Sequence, residues 1–167
     1  MSKSKKWLYS GTFDPFTIGH LDIAVRAAKR CDQLVIAVLD SEDSKTIFSI
    51  EERLEMVLLA TASYDNIEVI KFNGLLSDTY EKISASAIVR GLRNTNDLLY
   101  ETPMAIINHE LNSDIETIFL LARKDLVHVS SSNVRELGHL NNNFLQMVPK
   151  CNLEKVEKKF EKLRNNK

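Results

Sequence analysis

The spacing of apolar and polar positions along this chain changes period again and again. Short runs rich in β-branched and aromatic residues predict five strands: "WLY" at 7–9, "LVIAVLD" at 34–40, "IEVIKF" at 67–72, "AIVRG" at 87–91 and "TIFLLA" at 117–122. Between them, "HLDIAVRAAKR", "SIEERLEMVLLATA", "LLSDTYEKIS" and "NDLLYETPMAIINHEL" repeat apolar residues at the spacing of one helix face. The last segment, "NLEKVEKKFEKLRNNK", sets Leu153, Val156, Phe160 and Leu163 on one side and lysines and glutamates on the other. It predicts an amphipathic C-terminal helix with a solvated charged face. Strand and helix in alternation predict right-handed βαβ units, hence an α/β fold whose five-stranded parallel sheet is covered on both faces. Ligands of such sheets bind beyond the carboxyl ends of the strands, so chemistry is expected in the polar, glycine-bearing segments that follow a strand.

"SGTFDPFTIGH", residues 10–20, is the first such segment. Gly11 permits close backbone approach by a ligand, and Thr12 adds a hydroxyl and an N–H. Asp14-Pro15 turns the chain. Thr17 suits the cap of a helix starting near Ile18, and Gly19 and His20 fall in its first turn, where free N–H groups and the positive end of the dipole favour an anion. The His20 ring would offer that anion a further donor. "AIVRGLR" brings Arg90 and Arg93 to the end of the fourth strand, where a planar guanidinium can grip phosphate oxygens in pairs. "HVSSSNVRE" follows the fifth strand with three hydroxyls at another helix start, and Asn133 and Glu136 stand there at capping-box spacing. Singly, each feature has an ordinary structural explanation as a cap or a turn. Their convergence on one edge of the sheet carries the functional reading, and neither GxxxxGK[ST] nor GxGxxG is present.

Composition narrows this picture. At 167 residues, 44% hydrophobic and 27% charged, the chain has the makeup of one globular domain over 1–167. A net charge of -1 gives no overall footprint for nucleic acid or an anionic membrane, so an anion site must be built locally. Cys31 and Cys151 lie far apart without CxxC spacing, which fits two reduced thiols. The start "MSKSKKWLYSG" lacks an apolar h-region and no stretch reaches the ~18 apolar residues of a span. A cytoplasmic protein with neither nucleic-acid nor membrane partner is expected.

"SGTFDPFTIGH", "RGLRNTNDLLYE" and "VSSSNVRE", in this order and at these separations, resemble the bacterial phosphopantetheine adenylyltransferases, within the nucleotidyltransferases that carry a (His or Thr)-x-Gly-His signature. The resemblance runs from Trp7 to about Leu163. It implies a Rossmann-like nucleotidyltransferase fold. It also implies a reversible reaction in which the phosphate of 4'-phosphopantetheine attacks the α-phosphorus of ATP, giving 3'-dephospho-coenzyme A and pyrophosphate, the penultimate step of coenzyme A synthesis. Relatives that transfer cytidylyl groups usually carry His at the Thr17 position.

Position by position, the resemblance implies that His20 stabilises the transition state at the α-phosphate and that Thr12 bridges substrate phosphate and nucleotide. Phe13, Gly91, Leu92, Arg93 and Glu101 would contact ATP, and Leu126, Val127, His128, Val129, Ser130, Ser131 and Ser132 would line its pocket. Arg90 would bind the phosphopantetheine side, and Leu76 would belong to the pantetheine pocket. Mg2+ would accompany ATP, held by phosphate oxygens and water without a ligand set of protein side chains. The resemblance further implies a homohexamer.

Three positions depart from the family pattern. Ser10 stands where proline is usual, and Leu126 where an aromatic residue is common. Counting back from Phe48 in "DSEDSKTIF", the phosphate-binding lysine should fall at Ser44, yet the lysine is Lys45. Lys45 is read as the working cation, because a flexible stem reaches one phosphate from more than one backbone position; the other reading leaves Ser44 in the site with a hydroxyl. Two rival functions share these motifs: the same chemistry on another phosphate-bearing acceptor, such as a mononucleotide or a sugar-alcohol phosphate, and a non-catalytic nucleotide-binding regulator.

Overall fold

A computed structural model describes residues 5–40 and 45–165. In chain order it contains β1 (Lys6–Gly11), α1 (Ile18–Ala28), β2 (Gln33–Leu39), α2 (Ile50–Thr61), β3 (Ile67–Phe72), α3 (Leu76–Lys82), β4 (Ala87–Leu92), α4 (Thr95–Leu111), β5 (Thr117–Leu121), α5 (Ser131–His139) and α6 (Leu153–Asn165). Each of the five expected strands and the expected C-terminal helix is present, and all four strand pairings are parallel.

The sheet order is β3-β2-β1-β4-β5. The chain steps outward from β1 to β3, then crosses to the other side of β1 to lay down β4. The carboxyl ends of β1 and β4 therefore flank the point where strand order reverses, the usual ligand crevice of open α/β sheets. β2 reads as an unbroken apolar run because both its faces are covered, and Leu34 to Val38 are all buried. Edge strand β3 instead exposes Glu68 and Lys71.

Alternation along the strands divides the core in two. Tyr9, Ile36, Val38 and Val89 face α1, α2 and α6, with Phe16, Ala24, Met56 and Phe160. Leu8, Val35, Ala37 and Ile88 face the other way, with Tyr80 and Ile115. α6 docks through Phe160, fully buried with its ring 5.2 Å from Phe144 and 6.4 Å from Phe48. Gly138 makes that docking possible, since a Cβ there would lie 2.5 Å from the Phe160 ring. The charged side of α6 is not all solvated as expected: Lys159 pairs with Glu52 of α2 at 2.8 Å, and Lys155 pairs with Glu55. No helix among the described residues is long and apolar enough to cross a membrane.

Candidate active site

The turn after β1 is tightly determined. Thr17 caps α1 by accepting the His20 N–H at 3.3 Å, and the His20 ring returns the contact, its Nδ1 accepting the Thr17 N–H at 3.1 Å. His20 thus takes the place that glutamate or glutamine holds in the common capping box. Because Nδ1 accepts, the ring proton sits on Nε2. Burial first, then the positive Arg93 and Arg90, push the His20 pKa down to about 3. At neutral pH the ring is an uncharged hydrogen-bond donor. Phe13 packs edge-on against it at 5.1 Å, from a backbone with φ of 52° that a bulky residue rarely adopts. Gly11 answers to that ring: a Cβ there would meet Phe13 at 2.9 Å, so packing inside the turn already requires the glycine expected to admit a ligand.

Both arginines of "RGLR" meet carboxylates of α4. Arg90 donates from Nε and Nη2 to the two oxygens of Glu101, at 2.6 and 2.7 Å, and from Nη1 to the Ser10 carbonyl at 2.5 Å and the Ser10 hydroxyl at 3.2 Å. Arg93 donates from Nε and Nη2 to Asp97, each at 2.9 Å, and its own N–H joins them at 2.9 Å. Burial works against the Arg90 charge, and Glu101 more than offsets it, leaving its pKa above the ordinary value. Burial would raise the Asp97 carboxyl, but hydrogen bonds from Arg93 hold it below its ordinary value. A carboxylate and a phosphate offer the same paired oxygens, so these forks are already shaped for phosphate.

At the start of α5 the cap is Ser130, which accepts the Asn133 N–H at 3.0 Å. Asn133 lies one turn inside the helix, so the capping box expected at Asn133 and Glu136 gives way to this earlier cap. Ser131 donates to the Pro15 carbonyl at 2.9 Å, and Arg135 spans from the Asp14 carbonyl at 2.6 Å to the Ser132 hydroxyl at 3.2 Å. The third segment is thereby fastened to the first.

Two cavities open at this edge. One of about 360 Å³ is lined by Thr12, Phe13, Gly19, His20, Arg90, Gly91, Arg93, Glu101, Leu126, Val129 and Ser130 to Ser132, among others. A second of about 350 Å³ has apolar walls from Leu39, Phe72, Leu75, Leu76, Met104, Ile107 and Leu111. Ser10, Gly11, Thr12, Arg90, Tyr100 and Glu101 border both and form the junction.

A cytidylyltransferase-like family model matches residues 8–137. The phosphopantetheine adenylyltransferase of Clostridium perfringens strain ATCC 13124 is 40% identical over 157 residues, 94% of this chain and 96% of that one. That of Caldanaerobacter subterraneus subsp. tengcongensis is 41% identical over 155 residues, 93% of this chain and 97% of that one. The chain belongs to the phosphopantetheine adenylyltransferase family. Among solved structures, a bifunctional NMN adenylyltransferase/ADP ribose pyrophosphatase from Francisella tularensis, complexed with AMP and a manganese ion, superposes with a TM-score of 0.70 at 17% identity. The alignment covers 98% of this chain but only 53% of that one, and speaks to the fold.

Several of the residues expected at the nucleotide border neither cavity. Leu92 is buried and borders neither cavity, whereas its neighbour Gly91 lines the polar one. Val127 and His128 are exposed outside both, carried outward by the short 3-10 turn that brings Leu126 and Val129 in. Lys45 is exposed and borders neither cavity. Ser44 lies outside the described residues. Leu76 borders the apolar cavity only.

Sequence reasoning missed Tyr9, Asp14, Asp97 and Arg135 as cavity-lining residues of the adenylyltransferase. Asp97 was findable, since it stands four residues after Arg93 on a predicted helix, the spacing of an ion pair. Arg135 follows Ser131 by one helical turn and was likewise in reach. Asp14, 3% exposed, was hidden by its resemblance to an ordinary Asp-Pro turn.

Proposed function

We propose that the two joined cavities receive the two substrates of the family's reaction, ATP on the polar side and the arm of 4'-phosphopantetheine on the apolar side. The chain then transfers the adenylyl group, releasing 3'-dephospho-coenzyme A and pyrophosphate. The observation that carries this reading is the junction itself: an apolar channel opens onto Arg90 and Thr12 beside His20, where a phosphate at the end of an apolar arm would meet the nucleotide.

The nucleophile is a phosphate monoester, already anionic, so the site needs neither a base nor a covalent intermediate. A phosphopantetheine oxygen forms the new bond to the α-phosphorus as the bond to the β-phosphate oxygen breaks in line. What remains is to bring two repelling anions together and hold the charge that spreads over the transferring group. His20, neutral and protonated at Nε2, donates to an α-phosphoryl oxygen without giving up its proton. Arg93 serves ATP and pyrophosphate, Arg90 the incoming phosphate, each trading or sharing its carboxylate partner. Thr12 bridges both, Lys45 adds a cation from the loop after β2, and Leu76 walls the arm. The start of α5 at Ser130 to Ser132 offers backbone donors to the triphosphate.

Among the described residues no three His, Cys, Asp or Glu side chains stand together as metal ligands, and Glu101 and Asp97 are taken up by arginines. Mg2+ would arrive with ATP, and no step is assigned to a protein ligand of it. Its chemistry is charge neutralisation of the leaving pyrophosphate.

The chain acts as one domain in the cytoplasm and as an oligomer, six copies by resemblance. The exposed apolar side chains of α4, including Leu99 and Ile106, supply a face for association. The deciding experiment is pyrophosphate-dependent ATP formation from 3'-dephospho-coenzyme A. ATP formed from a dinucleotide instead would reassign the acceptor, and no ATP from either would leave a nucleotide-binding regulator.

A further inference from the structure

Arg53 lies in the first half of α2 and is 2% exposed. Three carbonyls satisfy it: Nη1 donates to Thr12 at 2.8 Å and to Leu39 at 2.7 Å, and Nε donates to Phe48 at 3.1 Å. They belong to three separate stretches, the turn after β1, the end of β2, and the residue before Ser49, which caps α2. Asp14 fastens the same region through two accepted bonds. Its two carboxylate oxygens take the N–H groups of Ile47 and Phe48, each at 2.9 Å.

A guanidinium buried against neutral carbonyls is costly to hold, and an apolar side chain would fill the volume more cheaply. Burial pulls the Arg53 pKa down, and the carboxylates of Asp14, Asp40 and Glu51 push it back up. What the planar fork provides, and a hydrocarbon cannot, is a fixed separation between strands of backbone. Arg53 thus holds Leu39 and Phe48, Asp14 holds Ile47 and Phe48, and Lys45 stands two residues before the grip at Ile47.

We propose that Arg53 and Asp14 are positioning residues that hold Ile47 and Phe48 against the turn after β1, and so fix the backbone from which the exposed Lys45 side chain swings to the phosphate met by Thr12. This rests on the reading of Lys45 and Thr12 as contacts to the phosphate of 4'-phosphopantetheine. The brace makes two phosphate contacts from different loops into one unit, whose spacing is set by groups that touch no substrate.

The test is a double-mutant cycle with both substrates titrated separately. Arg53→Lys keeps the charge and removes the fork; Asp14→Asn keeps the size and removes one acceptor. Each should raise the KM for 4'-phosphopantetheine about tenfold while the KM for ATP stays within about twofold. Lys45→Ala, costing about tenfold in the wild-type background, should cost less than about twofold in either variant, because residues acting as a unit are not additive. Equal shifts for both substrates, or effects that multiply, would overturn the brace. A wild-type measurement stands beside the variants should they not fold: 4'-phosphopantetheine should shield the Lys45 amine from acetylation and ATP alone should not, and a Lys45 equally reactive with and without it overturns the proposal. Wild-type enzyme without adenylyl transfer would sink the reading of the site, whereas transfer with multiplying effects would sink only the brace.

Discussion

The two cavities share a border and differ in how they are built. The polar cavity is walled by strand ends and by the first turns of α1 and α5, and its polar side chains are already oriented by protein partners: the His20 ring accepts from Thr17 and keeps its Nε2–H to give, while Arg90 donates to Glu101, Arg93 to Asp97 and Arg135 to the Asp14 carbonyl. The apolar cavity is walled by α3, α4 and the ends of β2 and β3, and Leu75, Met104, Ile107 and Leu111 on its walls remain half exposed. One side is organised by directional bonds before any ligand arrives, and the other offers surface. Preorganised donors act on a transition state because their orientation is fixed during folding, while an apolar wall holds the arm equally in the bound ground state and in the transition state. Changes on the polar side should therefore appear in turnover and nucleotide use, and changes toward the apolar side in the 4'-phosphopantetheine requirement.

The largest break expected is His20→Ala, which should lower kcat by about 10²–10³ with a far smaller change in ATP affinity. Steady-state kinetics beside direct ATP titration checks it; a loss confined to ATP affinity would remove His20 from the transition state. Next in size are the two arginines, which sharpen the comparison because Arg90 sits at the junction and Arg93 on the polar side alone. Arg90→Ala should chiefly raise the 4'-phosphopantetheine requirement and Arg93→Ala chiefly that for ATP and pyrophosphate, each by well over about tenfold given the charge-assisted bonds lost. Equal shifts in the same substrate would merge the two sides. Lys45→Ala follows, with catalytic efficiency toward 4'-phosphopantetheine down about tenfold, about 1.4 kcal/mol, and Ser44→Ala changing much less. A large defect in Ser44→Ala beside a normal Lys45→Ala would move the contact to the serine.

The smallest effect concerns pH. With the His20 pKa near 3, the ring stays neutral through the range where a free histidine titrates, so any break in kcat near 6.5 belongs to the substrate phosphates and should be the same in wild type and His20→Ala. The sign for stability follows from linkage. Below pH 6.5 the unfolded chain takes up a proton that the folded ring refuses, so stability is complete above 6.5 and falls as pH drops toward 3. The slope from this group is at most about 1.4 kcal/mol per pH unit. Denaturant melts of the wild type and His20→Ala between pH 4 and 7 isolate that contribution; identical slopes would mean that His20 titrates alike in the folded and unfolded chains.

Much of this molecule is legible in the order of its residues. The period of "LVIAVLD" or "LEKVEKKFEKL" fixes strand or helix locally, and strand-helix alternation leaves a parallel sheet as the way to bury those faces. Thr17 as a cap and Arg90 with Arg93 at a strand end depend on neighbours a few residues away, and the motifs together pointed to the family. Tertiary structure alone decided the rest. That β4 returns beside β1, and so brings "RGLR" to the turn of "SGTFDPFTIGH", depends on strand order rather than on any local spacing. Asp14 reads as a turn residue and Arg53 carries no signal in the sequence, because their partners lie 33 to 34 and 5 to 41 residues away. The Val127 and His128 side chains left the cavity for a similar reason: which residues of a loop face inward is set by the path the backbone takes between anchors, here the end of β5 and the Ser130 cap. Sequence determines what each segment wants to bury or expose; only packing determines which distant groups satisfy it.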